Sequence, residues 1–161
     1  MGLNLPISSA VDLHLNKLAA LCDSGFALAI HIRYTRPTLL YRTYAQGWID
    51  HYSEKGFMLS DPTVHWGLKQ SGWMAWADLA QTDPEAVIAA ATAHGLHNGL
   101  TYSVGPAASR TILGVTRSTS SFTQDERSEI AATINELHRM TEGFPTLPAG
   151  EQASLRGLLQ S

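Results

Sequence analysis

FALAIHIRYTRPTLLYRTY, residues 26–44, decides between an antiparallel sheet and any other arrangement of this chain. From Phe26 to Tyr34 the residues alternate as a strand requires. Leu28, Ile30, Ile32 and Tyr34 share one face, and Ala29, His31 and Arg33 share the other. Thr35 to Pro37 is a turn signal, and TLLYRTY reads as the returning strand. A connection this short joins antiparallel neighbours, because parallel ones need a long crossover.

The flanks extend the pattern. On the N-terminal side, Val11, Leu15, Leu18 and Cys22 recur at helical spacing. They predict a helix over 9–23 with Ser9 as cap, Asp12 in the first turn and Gly25 past the end. On the C-terminal side, helices are predicted over 45–55 and 62–71. Gly56 ends the first, and Asp61-Pro62 opens the second, with Asp as cap and Pro at the first helical position. Asp83-Pro84 repeats that device before EAVIAAATAH, which Gly95 ends. NGLTYSVG and TILGVTRS read as strands joined by PAAS. Thr123 and Glu126 form a capping box for a helix over about 124–142, with Ile130, Ile134, Leu137 and Thr141 on its core stripe. Gly143 and Pro145 stop it. The expected fold is α+β, an α/β/α sandwich whose central antiparallel sheet is covered by helices on both faces.

Bulk composition narrows the function. A chain of 161 residues suits one domain with a sizeable core. Hydrophobic content of 44% against 16% charged marks it as globular. The net charge of −3, with 11 scattered basic residues, argues against direct nucleic-acid binding by these residues. The single cysteine, Cys22, excludes an internal disulfide framework and falls on a predicted apolar stripe. The N-terminus has no basic start and no apolar run, and no segment approaches ~18 uninterrupted apolar residues. The expected setting is cytoplasmic, away from the membrane.

Patterns for catalysis are missing. The closest histidines, His94 and His97, straddle the Gly95 helix stop with no Cys or acidic cluster beside them, so neither a metal nor any other cofactor is expected. No Gly-x-Ser-x-Gly elbow occurs, and no Gly-rich loop opens a helix after a strand. The chain is not expected to be an enzyme.

What stands out is YAQGWIDHY, residues 44–52, with Asp61 nine residues beyond. Residues four apart on a helix stack on one face, so Tyr44, Trp48 and Tyr52 form a wall about two turns long. One reading is an ordinary aromatic seam whose hydroxyls reach solvent. The other is a pocket wall, mostly apolar with a few placed polar tips. Asp61 likewise reads as a routine helix cap, or as a cap whose second oxygen accepts from a ligand N–H. Trp76, in GWMAWADL, adds an indole donor. An acceptor, a donor and aromatic hydroxyls match a ligand with an amide N–H and a carbonyl.

The stretch YAQGWIDHYSEKGFMLSDPTVHW, followed by GWMAWADL, resembles the acyl-homoserine-lactone-binding (autoinducer-binding) domain of LuxR-type quorum-sensing regulators. The matching positions are Tyr44, Trp48, Tyr52, Asp61-Pro62 and Trp76. Gly95, Gly99 and Thr101 in HGLHNGLTYSV, and ILGVTRS, extend the likeness over about residues 8–142. The resemblance implies that Trp48 donates to the lactone carbonyl, Asp61 accepts from the amide N–H and Tyr44 reaches the amide carbonyl. Tyr52 and Trp76 would enclose the ring. Thr63 and Thr101 are expected in the same site. By strand parity Ile30, Ile32, Tyr34, Leu113 and Val115, joined by Val64 and Leu96, would line the acyl slot.

The sequence departs from the family pattern in three places. Arg117 shares a strand face with Leu113 and Val115, where a small hydroxyl residue is common; either it snorkels to water from the strand end or the ligand carries a group for it. Ala45 stands where the family usually has Pro. Residues 1–143 are expected to be the sensor domain, and 144–161 a linker running into the start of a helix-turn-helix-like segment that is not completed. The expected function is signal binding as part of a transcriptional regulator, in a homodimer or with a related regulator. The alternative is a ligand-independent antagonist that pairs with full-length relatives.

Overall fold

The computed structural model describes residues 5–159. Its element order is α1 (Ile7–Leu21), β1 (Phe26–Arg33), β2 (Arg36–Arg42), α2 (Gln46–Glu54), α3 (Pro62–Lys69), β3 (Gly72–Ala75), α4 (Trp76–Leu79), α5 (Val87–Ala93), β4 (Leu100–Val104), β5 (Arg110–Val115), α6 (Gln124–Met140) and α7 (Ala149–Gly157). The hairpin of residues 26–44 forms, with Ala29 opposite Leu40 and Ile30 opposite Leu39. The five strands make one sheet in the order β2-β1-β5-β4-β3, and every neighbouring pair is antiparallel. This is the expected mixed sandwich.

Local chemistry explains most boundaries. Asp61 caps α3 by accepting from the Thr63 N–H, with Pro62 at the first helical position. The Thr123–Glu126 capping box opens α6 as its spacing requires. Three details differ from expectation. Helix α1 starts at Ile7 after Pro6, without help from the Ser9 side chain. Asp83 does not sit at the cap position of α5; its carboxylate reaches forward to accept from the N–H groups of Val87 and Ile88, at 3.0 and 2.8 Å. Strand β3, inside GWMAW, was not expected as a strand; it is four residues long and half-buried throughout.

Two apolar clusters lie on opposite faces of the sheet. The larger joins Val11, Leu15 and Leu18 of α1 and Ile130, Ile134 and Leu137 of α6 to Leu28, Ile30, Leu113 and Val115 of the central strands. The smaller collects Trp48, Phe57, Trp76, Leu79, Val87, Ile88 and Leu96, with Tyr44 and Tyr52 packed against it. On that second face α3 packs over β4 and β5, so close that a Cβ on Gly67 would meet the Ile112 side chain at 2.7 Å.

The expected break at residue 143 is absent from the packing. Phe144 and Leu155 are buried in the larger cluster, α7 packs on α1 and β2, and the Tyr41 hydroxyl donates to the Leu155 carbonyl at 2.7 Å. Residues 144–159 therefore complete the same core rather than trail from it; residues 160 and 161 lie outside the described range. Tyr41→Phe should cost about 1 kcal/mol in urea unfolding, because it leaves the Leu155 carbonyl only the long bond from the Leu158 N–H at 3.4 Å.

A buried histidine pair closes the far end of the larger cluster. The β1–β5 register slips between Ala29 and Ile32, and His31 takes φ 50° there, which turns its ring inward. That ring lies 4.1 Å from the ring of His138. His31 Nε2 bonds the His138 carbonyl, Thr111 bonds His138 Nδ1, and the Arg110 guanidinium donates to the nearby Gly105 carbonyl. Burial, and His31 beside it, hold His138 below the usual imidazole range. The unfolded chain then takes up the proton first as pH falls, so the stability this group protects is present above about pH 6.5 and is lost on acidification through its lowered value. Melting temperature should fall between pH 7 and 5, and His138→Gln should flatten that slope.

Candidate functional site

Helix α2 presents Trp48 and Tyr52 on one face, four residues apart. Tyr44 is not on the helix: it lies in the bend before Ala45, which takes the cap position. The bend still brings its ring to the same cluster. The Trp48 and Tyr52 rings meet edge to face at 5.7 Å, and Phe57, in the turn after α2, contacts both. His94, just past α5, stands 5.2 Å from Trp48 and 4.8 Å from His51. Sequence reasoning missed Phe57, His51 and His94; the i, i+3 spacing of His51 after Trp48 was the signal for the second of these.

The polar tips converge. The Tyr52 hydroxyl donates to Asp61 Oδ2 at 2.8 Å, and the Thr63 N–H and hydroxyl donate to Asp61 Oδ1 at 2.9 and 2.7 Å. Asp61 thus caps α3 and holds the Tyr52 hydroxyl at once, buried yet with acceptor capacity left on Oδ2. The Trp76 indole donates to the Thr101 hydroxyl at 2.9 Å, and the Tyr44 hydroxyl donates to the Gly114 carbonyl at 3.2 Å. Burial and the Asp61 charge push both Tyr44 and Tyr52 well above the usual phenol range, so they act as neutral donors. Trp48 is different. The residue is 5% exposed, and its indole N–H makes no hydrogen bond among the described residues and keeps access to solvent.

The structure corrects the acyl-slot assignment. Ile30, Leu113 and Val115 face α1 and α6, on the side of the sheet away from Trp48 and Asp61. Tyr34 is 98% exposed at the hairpin tip, and Ile32 lies outside both clusters. Alternation separates two faces but does not say which helices cover which. The longest apolar side chains went to the helix-covered core, and the small residues went to the other face. On that face Ala27 and Ala29 remain half-buried although β1 is an interior strand, Gly114 lies beneath Tyr44 and Trp76, and Leu40 on β2 is 40% exposed. Leu96 is buried in the aromatic cluster as expected, Thr101 is bonded to Trp76, and Val64 is half-buried on α3.

Arg117 takes neither expected role. It follows the end of β5, is 14% exposed, and forms a two-pronged ion pair with Glu126 at 2.7 and 2.8 Å. It also donates to the Leu21 carbonyl and stacks over the Phe122 ring. Glu126 is held at about 2, chiefly by its bonds to Arg117 and then to Thr123. This is a strut between α1 and α6. Among the described residues no group of three His, Cys, Asp or Glu side chains is placed to hold a metal ion, and no helix is long and apolar enough to cross a membrane.

Comparison with known proteins agrees with the fold. Residues 12–141 match the model of the family described as "Autoinducer binding domain". The transcriptional activator protein SolR of Ralstonia nicotianae is 26% identical over 121 residues, which is 74% of this chain and 51% of SolR. The regulatory protein SdiA of Escherichia coli is 31% identical over 71 residues, 44% of this chain and 30% of SdiA. The chain therefore spans about half, or less, of the length of these curated relatives. Among solved structures, SdiA in complex with octanoyl-rac-glycerol aligns over 89% of this chain and 62% of that one, with TM-score 0.64 and 21% identity. CepR2 from Burkholderia cenocepacia, an N-acylhomoserine lactone-dependent LuxR family factor, aligns over 96% of both chains, with TM-score 0.58 and 18% identity. With the family model spanning most of the chain and the sheet and helix layers superposing on such structures, this protein belongs to the autoinducer-binding domain family of LuxR-type quorum-sensing regulators.

Proposed function

We propose that this chain senses an N-acyl-homoserine lactone or a closely related acyl amide, held between the aromatic wall and the small-residue face of the sheet. The observation that carries the reading is the inequality among the polar tips. Tyr52, Trp76 and Tyr44 are already bonded, whereas Trp48 keeps a donor without a partner and Asp61 keeps an acceptor position. A carbonyl and an amide N–H on one ligand satisfy both at once. Trp48 donates to the lactone carbonyl, Asp61 accepts from the amide, and Tyr44 can exchange its long bond to Gly114 for the amide carbonyl. Tyr52 and Trp76 flank the ring, with Thr63 and Thr101 behind as the groups that fix Asp61 and Trp76. The acyl chain then runs over Ala27, Ala29 and Leu40, each methylene contributing about 0.8 kcal/mol.

The likeness to SdiA solved with octanoyl-rac-glycerol supports an acyl ligand, and that to CepR2 supports a lactone head. In this reading the sensor works in the cytoplasm, as a homodimer or with a related regulator. Trp48→Phe and Asp61→Asn should each weaken binding of N-acyl-homoserine lactone by about 1–3 kcal/mol in calorimetry, through a polar partner left without its bond. Undiminished affinity in both variants rejects the head-group assignment. One observation favours the second reading, a ligand-independent dimerisation partner: the larger core closes entirely from protein side chains. A heterodimer with a full-length relative, formed without acyl lactone on size-exclusion chromatography, would select it.

A further inference from the structure

Trp76, which donates to Thr101 and packs over Gly114, also lines a crevice of about 380 Å³ between α5, the strand β4 and the loop entering α6. The crevice shares Trp76, Ile88 and Leu96 with the aromatic cluster, but none of Tyr44, Trp48, Tyr52 or Asp61 lines it. That volume falls in the range of small-molecule sites, about 300–1,000 Å³. Gly99 lets the indole sit on the strand: a Cβ there would lie 2.1 Å from Trp76 Cδ2.

The crevice is amphipathic and of one sign. Ile88, Leu96, Leu100 and Phe122 supply apolar lining. At the rim stand His97, Thr92 and Arg127, and no Asp or Glu lines it. Arg127 is half-buried and makes no ion pair among the described residues, in contrast to Arg117 and Arg139, which pair with Glu126 and Glu136. Glu126, the acid next to Arg127 in sequence, spends both oxygens on Arg117 and one of them also on the Thr123 N–H. A cation held over an apolar floor, on a chain of net charge −3, selects a ligand with one anionic end and one hydrocarbon end.

We propose that this crevice is a second binding site, distinct from the aromatic pocket, for an amphiphilic carboxylate such as a medium-chain fatty acid. Arg127 binds the carboxylate in its planar fork, and the chain lies along Leu100, Leu96 and Ile88 against Trp76. The proposal does not depend on the lactone reading, because none of Tyr44, Trp48, Tyr52 or Asp61 lines this crevice.

The test is titration of the whole chain with sodium octanoate, followed by amide NMR shifts and calorimetry. Octanoate should perturb residues 96–100 and 121–127. Arg127→Gln should weaken it about tenfold, as loss of a charge-assisted bond does. Thr92→Glu, at an exposed rim position, should weaken it as well by placing a like charge beside the carboxylate. Trp48→Phe and Asp61→Asn should leave octanoate affinity within about twofold, since neither residue faces the crevice. Shifts confined to the surroundings of Trp48 and Asp61, equal affinity in Arg127→Gln, or 1-octanol binding as tightly as octanoate would each overturn the assignment.

Discussion

Saturating N-acyl-homoserine lactone of the cognate chain length should raise the melting temperature of this chain by about 5–10 °C. A ligand that binds only the folded state stabilises it by about 2.7 kcal/mol at a hundredfold excess over its dissociation constant. For a domain of this size each kcal/mol is worth about 2–4 °C. The structure says why the gain is expected from this site. The aromatic cluster is the smaller of the two cores, and it contains an indole donor without a partner and a carboxylate with acceptor capacity remaining. A ligand that satisfies both adds apolar contact to the layer with least of its own. The shift should grow with acyl length until the chain outruns the trough over β1, then decline. Thermal melts across a panel of acyl lengths check this, and an unchanged midpoint for every member rejects the lactone reading.

The sheet was legible because its signals are local. Alternation in Phe26–Tyr34, the turn at Thr35–Pro37, the Asp61-Pro62 cap and the Thr123–Glu126 box each depend on a few adjacent residues. Which face would receive a ligand was not local. Leu28 and Ile30 are the stronger apolar face of β1, and a slot for an acyl chain was expected there; α1, α6 and α7 claim that face instead. The informative residues were the small ones. Ala27, Ala29 and Gly114 contribute little apolar area of their own, so space over them is inexpensive to leave. Strand β3 escaped notice because four half-buried residues carry no periodicity, and Gly72–Ala75 become a strand only by pairing with β4. Arg117 and the tail misled for a related reason. The Leu21 carbonyl that Arg117 reaches, and the α1 and β2 surfaces that bury Leu155, are distant in sequence, and Glu126 meets Arg117 only because the chain turns back into α6 between them.

Filling the trough tests the corrected face directly. Ala29→Leu should weaken acyl-lactone binding on the order of a hundredfold while leaving the fold intact. Ala29 lies on β1 between Leu40 and Ile112, on the side opposite Leu28 and Ile30, and is half-buried, so the added carbons project onto the face proposed for the acyl chain and not into the larger core. Displacing about four methylenes of ligand removes about 3 kcal/mol, on the order of a hundredfold in affinity. Ile30→Val, on the other face, trims one buried methylene and should cost about 0.5–1.5 kcal/mol of stability with little change in affinity. The two variants therefore separate the faces in opposite directions: one affects ligand and spares folding, the other affects folding and spares ligand. If Ala29→Leu binds as tightly as the parent while Ile30→Val loses affinity, the acyl chain lies on the α1–α6 side after all, and the aromatic wall holds a head group whose tail crosses the sheet edge.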